Sequence, residues 1–267
     1  MSGGSAGNTM ACFASLGGKG AYIGRVADDQ FGRVFTHDMN AIGIYFNTPP
    51  LPNSKPTAQC LILVTPDASR TMNTYLGAST QLFLDDVNED LIAQSEVTYL
   101  EGYLFDEAPA KAAFFKAAEL VKKHGRKLSL TLSDPFCVVR HREDFKKLLP
   151  SVDILFANEY EILELTETKN IDDAIQSVRG LCNIIAITMG EKGSRIVCAH
   201  DTYNVKAVPP SKLVDTTGAG DAYAAGFLFG LTQEKPLEIC GHYGSLSASE
   251  VICHMGPRPQ ISLKTLI

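Results

Sequence analysis

The stretch DTTGAGDAYAAGFL, residues 215–228, determines which fold this chain is expected to adopt. Three small residues, Gly218, Ala219 and Gly220, are followed by Asp221 and by an apolar run with helical spacing. The first N–H groups of a helix have no internal partners, and the helix dipole is positive there. The stretch therefore predicts an anion-binding loop at the start of a helix, with Asp221 in the first turn. A capped helix after a simple glycine turn is the alternative.

The composition is that of an ordinary globular protein, with 45% apolar and 20% charged residues among 267. A formal net charge of -6 provides no basic surface for a nucleic-acid backbone. No apolar run has the length that a membrane span needs, and the first residues do not resemble a signal peptide. The seven cysteines are scattered without a CxxC pair, which is typical of reduced thiols. These features predict a cytoplasmic protein that binds neither nucleic acid nor membranes.

From residue 97 onward, predicted strands alternate with predicted helices. The strands are expected at residues 97–105, 128–132, 152–157 and 183–188, and the helices at 108–124, 143–149, 159–165 and 171–181. This alternation predicts an α/β fold with a mostly parallel, doubly wound sheet between two layers of helices. Ligands of such sheets bind at the carboxyl ends of the strands.

Two regions interrupt the alternation. Residues 43–77 contain three β-like runs, GIYFNTPP, TAQCLILVT and SRTMNTYLG, which predict a small separate sheet, either a lid or an ordinary β-excursion. Residues 193–208 read as an antiparallel hairpin at the edge of the main sheet.

DTTGAGDAYAAGFL resembles the C-terminal signature of the ribokinase-like carbohydrate and nucleoside kinases, also called the PfkB family. GGSAGN at 3–8 is similar to the family's substrate-binding glycine pair with its Asn, NEYE at 158–161 to its NxxE motif, and TMGEKGS at 188–194 to its nucleotide-binding turn. The four motifs occur in family order over nearly the entire chain. The resemblance implies an ATP-dependent kinase with a ribokinase-like core at 1–42 and 78–267 and a β lid at 43–77.

The resemblance also implies roles for the residues of the opening stretch. Asp221 becomes the general base that takes the proton of the acceptor hydroxyl. The amides of Gly218, Ala219 and Gly220 become the anion hole for the transferring phosphoryl group, and such transfer depends mainly on positioning and charge neutralisation. Asp215 either joins a loop for a monovalent cation such as K⁺ or serves as a capping carboxylate.

The nucleotide-binding residues implied by the resemblance lie in the second half of the chain. Asn158 and Glu161 would anchor Mg²⁺ and the phosphates, often through water, because Mg²⁺ prefers oxygen ligands. Thr188, Gly190 and Gly193 would contact ATP, together with Gly218 and Gly220. The adenine would lie between this turn and the small residues at 241–249, which are equally consistent with close helix packing. An exposed helix cap and an ordinary turn are the simpler alternatives.

The acceptor site implied by the resemblance consists of Gly4, Ser5 and Asn8, which match the positions that hold sugar hydroxyls. Three segments are most similar to the adenosine-kinase-like branch of bacterial members: GGSAGN at 3–8, DDQFG at 28–32 and especially SRTMNTYLGAS at 69–79. We therefore expect phosphorylation of adenosine at its 5′-hydroxyl, with ribose, fructose or another furanose as the main alternative.

A nucleoside acceptor would need apolar or aromatic walls for its base. Phe13, Phe136 and Tyr75 are the candidates, and a core position is the alternative for each. The partner is thus a small molecule, and a homodimer is compatible with the family.

The chain departs from the family pattern at its start. The family's opening strand, with an acidic residue that holds sugar hydroxyls, normally precedes the glycine pair, and no such segment precedes Gly3 here. The second functional class is therefore a truncated kinase-fold protein that binds nucleotide with little activity. A third class, a Rossmann oxidoreductase built on GGKGAYIG at 17–24, is disfavoured because these glycines do not fit GxGxxG.

Overall fold

The computed structural model describes residues 1–267. The chain forms two compact units, one made of residues 1–86 with 208–267 and the other of residues 87–207. The strands are β1 Gln59–Val64, β2 Arg70–Tyr75, β3 Val97–Glu101, β4 Lys127–Thr131, β5 Ile154–Asn158, β6 Ile184–Thr188, β7 Ser194–Val197 and β8 Thr202–Val205. The α-helices are α1 Ser5–Ser15, α2 Gln30–Ala41, α3 Glu89–Gln94, α4 Ala108–Lys123, α5 Pro135–Leu148, α6 Glu159–Thr166, α7 Ile171–Val178, α8 Ala219–Thr232 and α9 Leu237–Val251.

The unit of residues 87–207 contains a six-stranded sheet in the order β3-β4-β5-β6-β7-β8. The first four strands are parallel, and β7 and β8 add an antiparallel hairpin at one edge. The central strands are nearly continuous apolar runs, as expected for strands covered on both faces, and Leu128, Leu130 and Leu155 are fully buried. This sheet confirms the predicted fold class and the edge hairpin.

Two boundaries in this unit differ from the sequence prediction. The strand expected at residues 97–105 ends at Glu101, and a 3₁₀ segment, Gly102–Asp106, follows it. The helix expected at 143–149 begins at Pro135, because Asp134 accepts a hydrogen bond from the Cys137 N–H as its N-cap and Pro135 occupies the first turn.

The unit of residues 1–86 and 208–267 is built around α1, α8 and α9. Their small residues allow close packing: a Cβ on Gly226 would lie 2.3 Å from the Tyr243 carbonyl oxygen of α9. Cys12, Ala222 and Val251 belong to the buried core of this unit.

The β-rich segment of this unit contains two strands where three runs were predicted. β1 and β2 pair antiparallel in a sheet of their own, with Ile62 opposite Met72. The first run, near residues 44–51, makes only isolated bridges to residues 21 and 27. No helix in residues 1–267 combines the length and the apolar character that crossing a membrane requires.

Candidate active site

The loop before α8 has the geometry of an open helix N-terminus. Gly218 is the N-cap residue with φ of 81°, in the left-handed region, and a Cβ there would lie 2.6 Å from Pro257 Cβ. Nothing lies within 4 Å of a Cβ built on Gly220. Gly218 is therefore required by the backbone, whereas Gly220 leaves open space beside the loop.

The amides of this loop are available to a ligand. The Ala219 N–H makes a long hydrogen bond of 3.3 Å to the Thr216 carbonyl, and those of Gly218 and Gly220 have no hydrogen-bond partner within the protein. Unpaired N–H groups at the positive end of a helix attract anions. The geometry therefore matches the predicted anion loop.

Asp221 lies in the first turn of α8 and contacts the N-terminal turn of α1. Ser5 Oγ donates to Asp221 Oδ1 at 2.7 Å, and Asn8 Nδ2 donates to Oδ2 at 2.9 Å. The left-handed Gly4, with φ of 87°, precedes Ser5 as the N-cap residue of α1. The structure thus brings together the predicted acceptor residues and the predicted base, which are more than 200 positions apart in the chain.

The charge state of Asp221 depends on opposing effects. Burial raises the pKa of this carboxyl to about 6, against the hydrogen bonds from Asn8 and Ser5 and the charge of Arg70, which lower it. The group is therefore mostly ionised at neutral pH, and it is a stronger base than an exposed aspartate. Asn8 Oδ1 is buried without a partner, so it can accept a hydrogen bond from a ligand hydroxyl.

Asp215, at the other end of the loop, is buried and satisfied by the protein. Its carboxylate accepts hydrogen bonds from the Thr217 N–H at 2.8 Å and from the Gly256 N–H at 2.9 Å. Burial opposes its ionisation, but these hydrogen bonds and the Arg70 charge lower its pKa below the ordinary value. The contacts are those of a clamp between two loops, and no cluster of three acidic, His or Cys side chains suited to a metal exists in the chain.

Arg70, in the segment SRTMNTYLGAS, had no predicted role, and the structure places it beside the loop that precedes α8. From β2, its guanidinium donates a hydrogen bond to Thr216 Oγ1, and its charge lowers the pKa values of both Asp215 and Asp221. It brings a positive charge from the two-stranded sheet to the anion loop. The signal in the sequence was a lone arginine in a polar strand, which does not indicate the face on which it lies.

The second group of predicted residues lies at the carboxyl ends of β5 and β6. Asn158 and Thr188 are paired across these strands. Asn158 is the N-cap of α6: its Oδ1 accepts from the N–H groups of Tyr160 and Glu161, and the Glu161 carboxylate accepts from the Asn158 N–H and side-chain amide. The pair forms a complete capping box.

Glu161 is only 5% exposed, so its carboxylate is held within the protein. Burial raises its pKa to about 7, although the backbone hydrogen bond from Asn158 lowers it. Each carboxylate oxygen already accepts a hydrogen bond from Asn158 and the side chain is buried, which favours contact with Mg²⁺ through bridging water over direct ligation.

The predicted nucleotide turn follows β6. Gly190 and Gly193 have φ of 57° and 91°, and a Cβ on Gly193 would lie 2.0 Å from the Val205 carbonyl oxygen. Nothing surrounds a Cβ on Gly190. Gly193 is thus needed for packing on β8, whereas Gly190 leaves its backbone open to a ligand.

The aromatic candidates differ in exposure. Phe13 packs edge-on against Phe229 beside the buried core of its unit, which is the core alternative stated for it. Tyr75 is 48% exposed on β2. Phe136 is 76% exposed in the first turn of α5, just after the carboxyl end of β4.

Comparison with protein families places the chain in a known group. The family model described as pfkB family carbohydrate kinase matches residues 1–264. The chain belongs to the pfkB family. The predicted class of ATP-dependent phosphotransferase is confirmed by this membership and by relatives that are named kinases.

Solved and curated relatives of this pfkB member have several names. The structure of adenosine kinase from Sinorhizobium meliloti is 51% identical, with a TM-score of 0.98 over 100% of this chain and 82% of that one. A protein from Rhizobium etli described as a probable sugar kinase is 48% identical, with a TM-score of 0.97 over 99% and 81%. Adenosine kinase from Saccharomyces cerevisiae is 28% identical over 96% of this chain and 79% of its own length.

Proposed function

We propose that this pfkB-family kinase transfers the γ-phosphoryl group of ATP to the 5′-hydroxyl of adenosine. The observation that carries the proposal is the convergence of Ser5, Asn8 and Asp221 beside a helix N-terminus where the amides of Gly218 and Gly220 are unpaired. A base, a hydroxyl-binding amide and an anion site are the groups that phosphoryl transfer to an alcohol requires.

Asp221 serves as the general base of this reaction. Its pKa of about 6 leaves the carboxylate ionised at neutral pH, so it can accept the proton of the acceptor hydroxyl as that oxygen bonds to phosphorus. Asn8 Oδ1 accepts a hydrogen bond from a sugar hydroxyl, and Gly4 and Ser5 complete the acceptor site. The transition state of phosphoryl transfer is loose, so the carboxylate mainly orients the hydroxyl until late in the reaction.

The Gly218, Ala219 and Gly220 amides stabilise the phosphoryl group during transfer, because fixed N–H dipoles neutralise developing negative charge without reorganising. Arg70 adds a positive charge to the same loop. Both effects favour the departure of the phosphoryl group from ADP.

ATP and Mg²⁺ are the proposed cofactors. Asn158 and Glu161 would hold the cation through water, and Mg²⁺ would neutralise the phosphate charges when bound. Thr188, Gly190 and Gly193 would contact the nucleotide. Asp215 as a K⁺ ligand stays a prediction, since its hydrogen bonds support the clamp equally well.

Adenosine is favoured over a sugar by one observation. The Sinorhizobium meliloti relative, at 51% identity, is named adenosine kinase. The sugar-kinase alternative is supported by the Rhizobium etli relative, which is nearly as similar.

A panel of adenosine, other nucleosides, ribose and fructose, assayed by coupled ADP release, tests the proposal. We expect adenosine to give the highest kcat/KM. Asp221→Asn should lower kcat roughly 10²- to 10⁴-fold, the span of a positioned general base, with nucleotide affinity unchanged. Turnover of a sugar but not of adenosine would show that the acceptor is a sugar. A folded Asp221→Asn protein with normal kcat would show that Asp221 is not the general base.

We also propose that this kinase forms a homodimer. β1 and β2 expose Leu61, Leu63 and Tyr75 on the face away from Arg70, which supports a homodimer. Sedimentation of the wild type and of Leu61→Lys tests it, since the charged variant should sediment as a monomer.

The seven cysteines are all free, which supports a reducing compartment such as the cytoplasm.

A further inference from the structure

Ser5 makes a contact that binding an acceptor does not require. It is the first residue of α1, and its hydroxyl donates to Asp221 Oδ1 at 2.7 Å across 216 positions of sequence. The left-handed N-cap residue Gly4 and the bond from Thr9 Oγ1 to the Ser5 carbonyl at 3.0 Å fix the turn that carries it. The backbone of this turn therefore holds the Ser5 hydroxyl against the carboxylate.

The surroundings of Asp221 make this hydrogen bond consequential. Burial disfavours the ionised carboxylate, and the groups that oppose this are the Asn8 amide, the Ser5 hydroxyl and the charge of Arg70 on β2. The titratable neighbour on α1 is Cys12, a fully buried thiol whose pKa lies far above neutrality, so it carries no charge. Loss of one donor should thus have a measurable effect on the Asp221 charge.

We propose that Ser5 is a positioning residue for phosphoryl transfer, whose hydroxyl holds Asp221 in one orientation and keeps it ionised at neutral pH. This role rests on the proposed function of Asp221 as the base. A carboxylate has about four lone-pair sites, so the bonds from Ser5 and Asn8 leave capacity for the acceptor hydroxyl. The acceptor proton moves to Asp221 as the bond from the acceptor oxygen to the γ-phosphorus forms. The bond between that phosphorus and the bridging oxygen of ADP breaks at the same time, ADP leaves with the electron pair, and Ser5 keeps its own proton throughout.

Ser5 can be tested more cleanly than Asn8. Asn8 donates to Asp221 and also offers the unpartnered Oδ1 to a ligand, so its replacement changes two functions at once. Ser5→Ala removes a single hydroxyl whose partner in the structure is Asp221, and alanine has the highest helix propensity. Because Ser5 also belongs to the proposed acceptor site, the pH dependence of kcat/KM is used to separate an effect on Asp221 from an effect on acceptor binding. Ser5→Thr is the matched control, because it keeps the hydroxyl at the same position.

The first measurement is a ¹³C NMR titration of the aspartate carboxyl carbons in the ligand-free protein, with the Asp221 signal identified by its absence in Asp221→Asn. Hydrogen bonds to charged groups are strong enough to move a pKa by about one unit. We expect Ser5→Ala to raise the Asp221 midpoint by about that amount and Ser5→Thr to leave it near the wild-type value.

The second measurement is the pH profile of kcat/KM for adenosine. With the midpoint raised by about one unit, Ser5→Ala should lose about fivefold at pH 6 and less than about twofold at pH 8.5, because the carboxylate is ionised at the higher pH in both proteins. A loss that is equal at both pH values would indicate a purely structural or substrate-binding role and would overturn the proposal.

The two measurements separate this proposal from the function on which it rests. An active wild type whose Asp221 midpoint is the same in Ser5→Ala overturns the role of Ser5 alone. If the midpoint moves but the wild type phosphorylates no nucleoside or sugar, the proposed function fails and the role of Ser5 in transfer fails with it. The proposal is supported if Ser5→Ala raises both the Asp221 midpoint in the NMR titration and the midpoint of the kcat/KM profile by the same amount, and if Ser5→Thr raises neither.

Discussion

Gly218 and Gly220 are separated by one residue, but a side chain would meet different surroundings at each. At Gly218 the left-handed φ and the close Pro257 both oppose a Cβ, whereas a Cβ at Gly220 lies in open space. We expect Gly218→Ala to lower the free energy of unfolding by about 1–3 kcal/mol, the usual cost of a strained backbone conformation. Urea unfolding followed by circular dichroism measures it.

Gly220→Ala is the matched variant for this prediction. Its stability should stay within about 0.5 kcal/mol of the wild type, as for a surface change without special backbone strain. Its kcat should fall, because the new methyl group would occupy space beside the anion loop. A stable, fully active Gly220→Ala protein would show that the phosphoryl group does not pass there.

The same loop shows which part of the site could be predicted from the local sequence. The small residues before Asp221 predicted the helix start and the open amides, because both depend on local backbone chemistry. The left-handed backbone conformation lies at Gly218, and the composition of the loop does not indicate which of its two glycines adopts it. Arg70 had no predicted role, because the contact of a strand side chain is decided by tertiary packing.

At the scale of the helix, Asn158 has a structural counterpart in the N-cap of α7. Asn170 Oδ1 accepts from the Asp173 N–H at 2.9 Å, much as Asn158 Oδ1 accepts from the Glu161 N–H. Replacing either by Ala should cost about 0.5–2 kcal/mol of stability. Only Asn158→Ala should also weaken binding of ATP with Mg²⁺, which calorimetry measures; equal affinities in the two variants would argue against a nucleotide role for Asn158.

The capping box of α6 also predicts a pH dependence of stability. The folded pKa of Glu161 is about 7, above the ordinary 4.5, so the folded state binds more protons than the unfolded state between these values. The contribution of Glu161 to stability is therefore greatest below about pH 4.5 and is lost as the pH rises through 7.

Glu161→Gln removes this titration. Relative to the variant, the wild type should lose on the order of 2–3 kcal/mol between pH 4.5 and pH 8, as the size of the pKa shift implies. Urea unfolding in EDTA at both pH values tests it. A difference between the two proteins that does not change with pH would mean that Glu161 titrates normally.

Helices and strands were predictable where periodicity and caps coincide. α4 and α6 begin where the sequence indicated, because their apolar spacing is regular and Pro109 and the Asn158 cap mark their first turns. The start of α5 was placed eight residues late: Asp134 and Pro135 are a strong start signal, but His141 has non-helical dihedral angles and the apolar pattern is weak there. A helix start that depends on capping residues cannot be found from the periodicity of apolar residues.

At the scale of the whole molecule, ligand binding should report the acceptor without any turnover. A ligand at 100 times its Kd stabilises the folded state by about 2.7 kcal/mol. We expect adenosine to raise the thermal unfolding temperature and fructose at the same concentration to leave it unchanged. The reverse result would favour the sugar-kinase alternative.

The assembly of the site as a whole was predictable only through resemblance. Nothing in the spacing of Ser5, Asn8 and Asp221 places them together, because the chain between them folds into several elements and spans more than 200 residues. The four motifs identified the family, and the family fold implied that the acceptor residues lie close to Asp221. From residue spacing alone, the prediction would have been a capped helix at Asp221 and an unrelated glycine pair near the start of the chain.

The contact between Ser5 and Asp221 also affects how the protein folds. Joining residues 216 positions apart closes a very long loop, and such non-local contacts form late and slowly compared with local ones. A growing polypeptide on the ribosome contains no carboxylate partner for Ser5 until α8 has been synthesised. Recovery of turnover after dilution from urea should therefore lag behind the recovery of helical signal, which makes enzymatic activity a reporter of the last steps of folding.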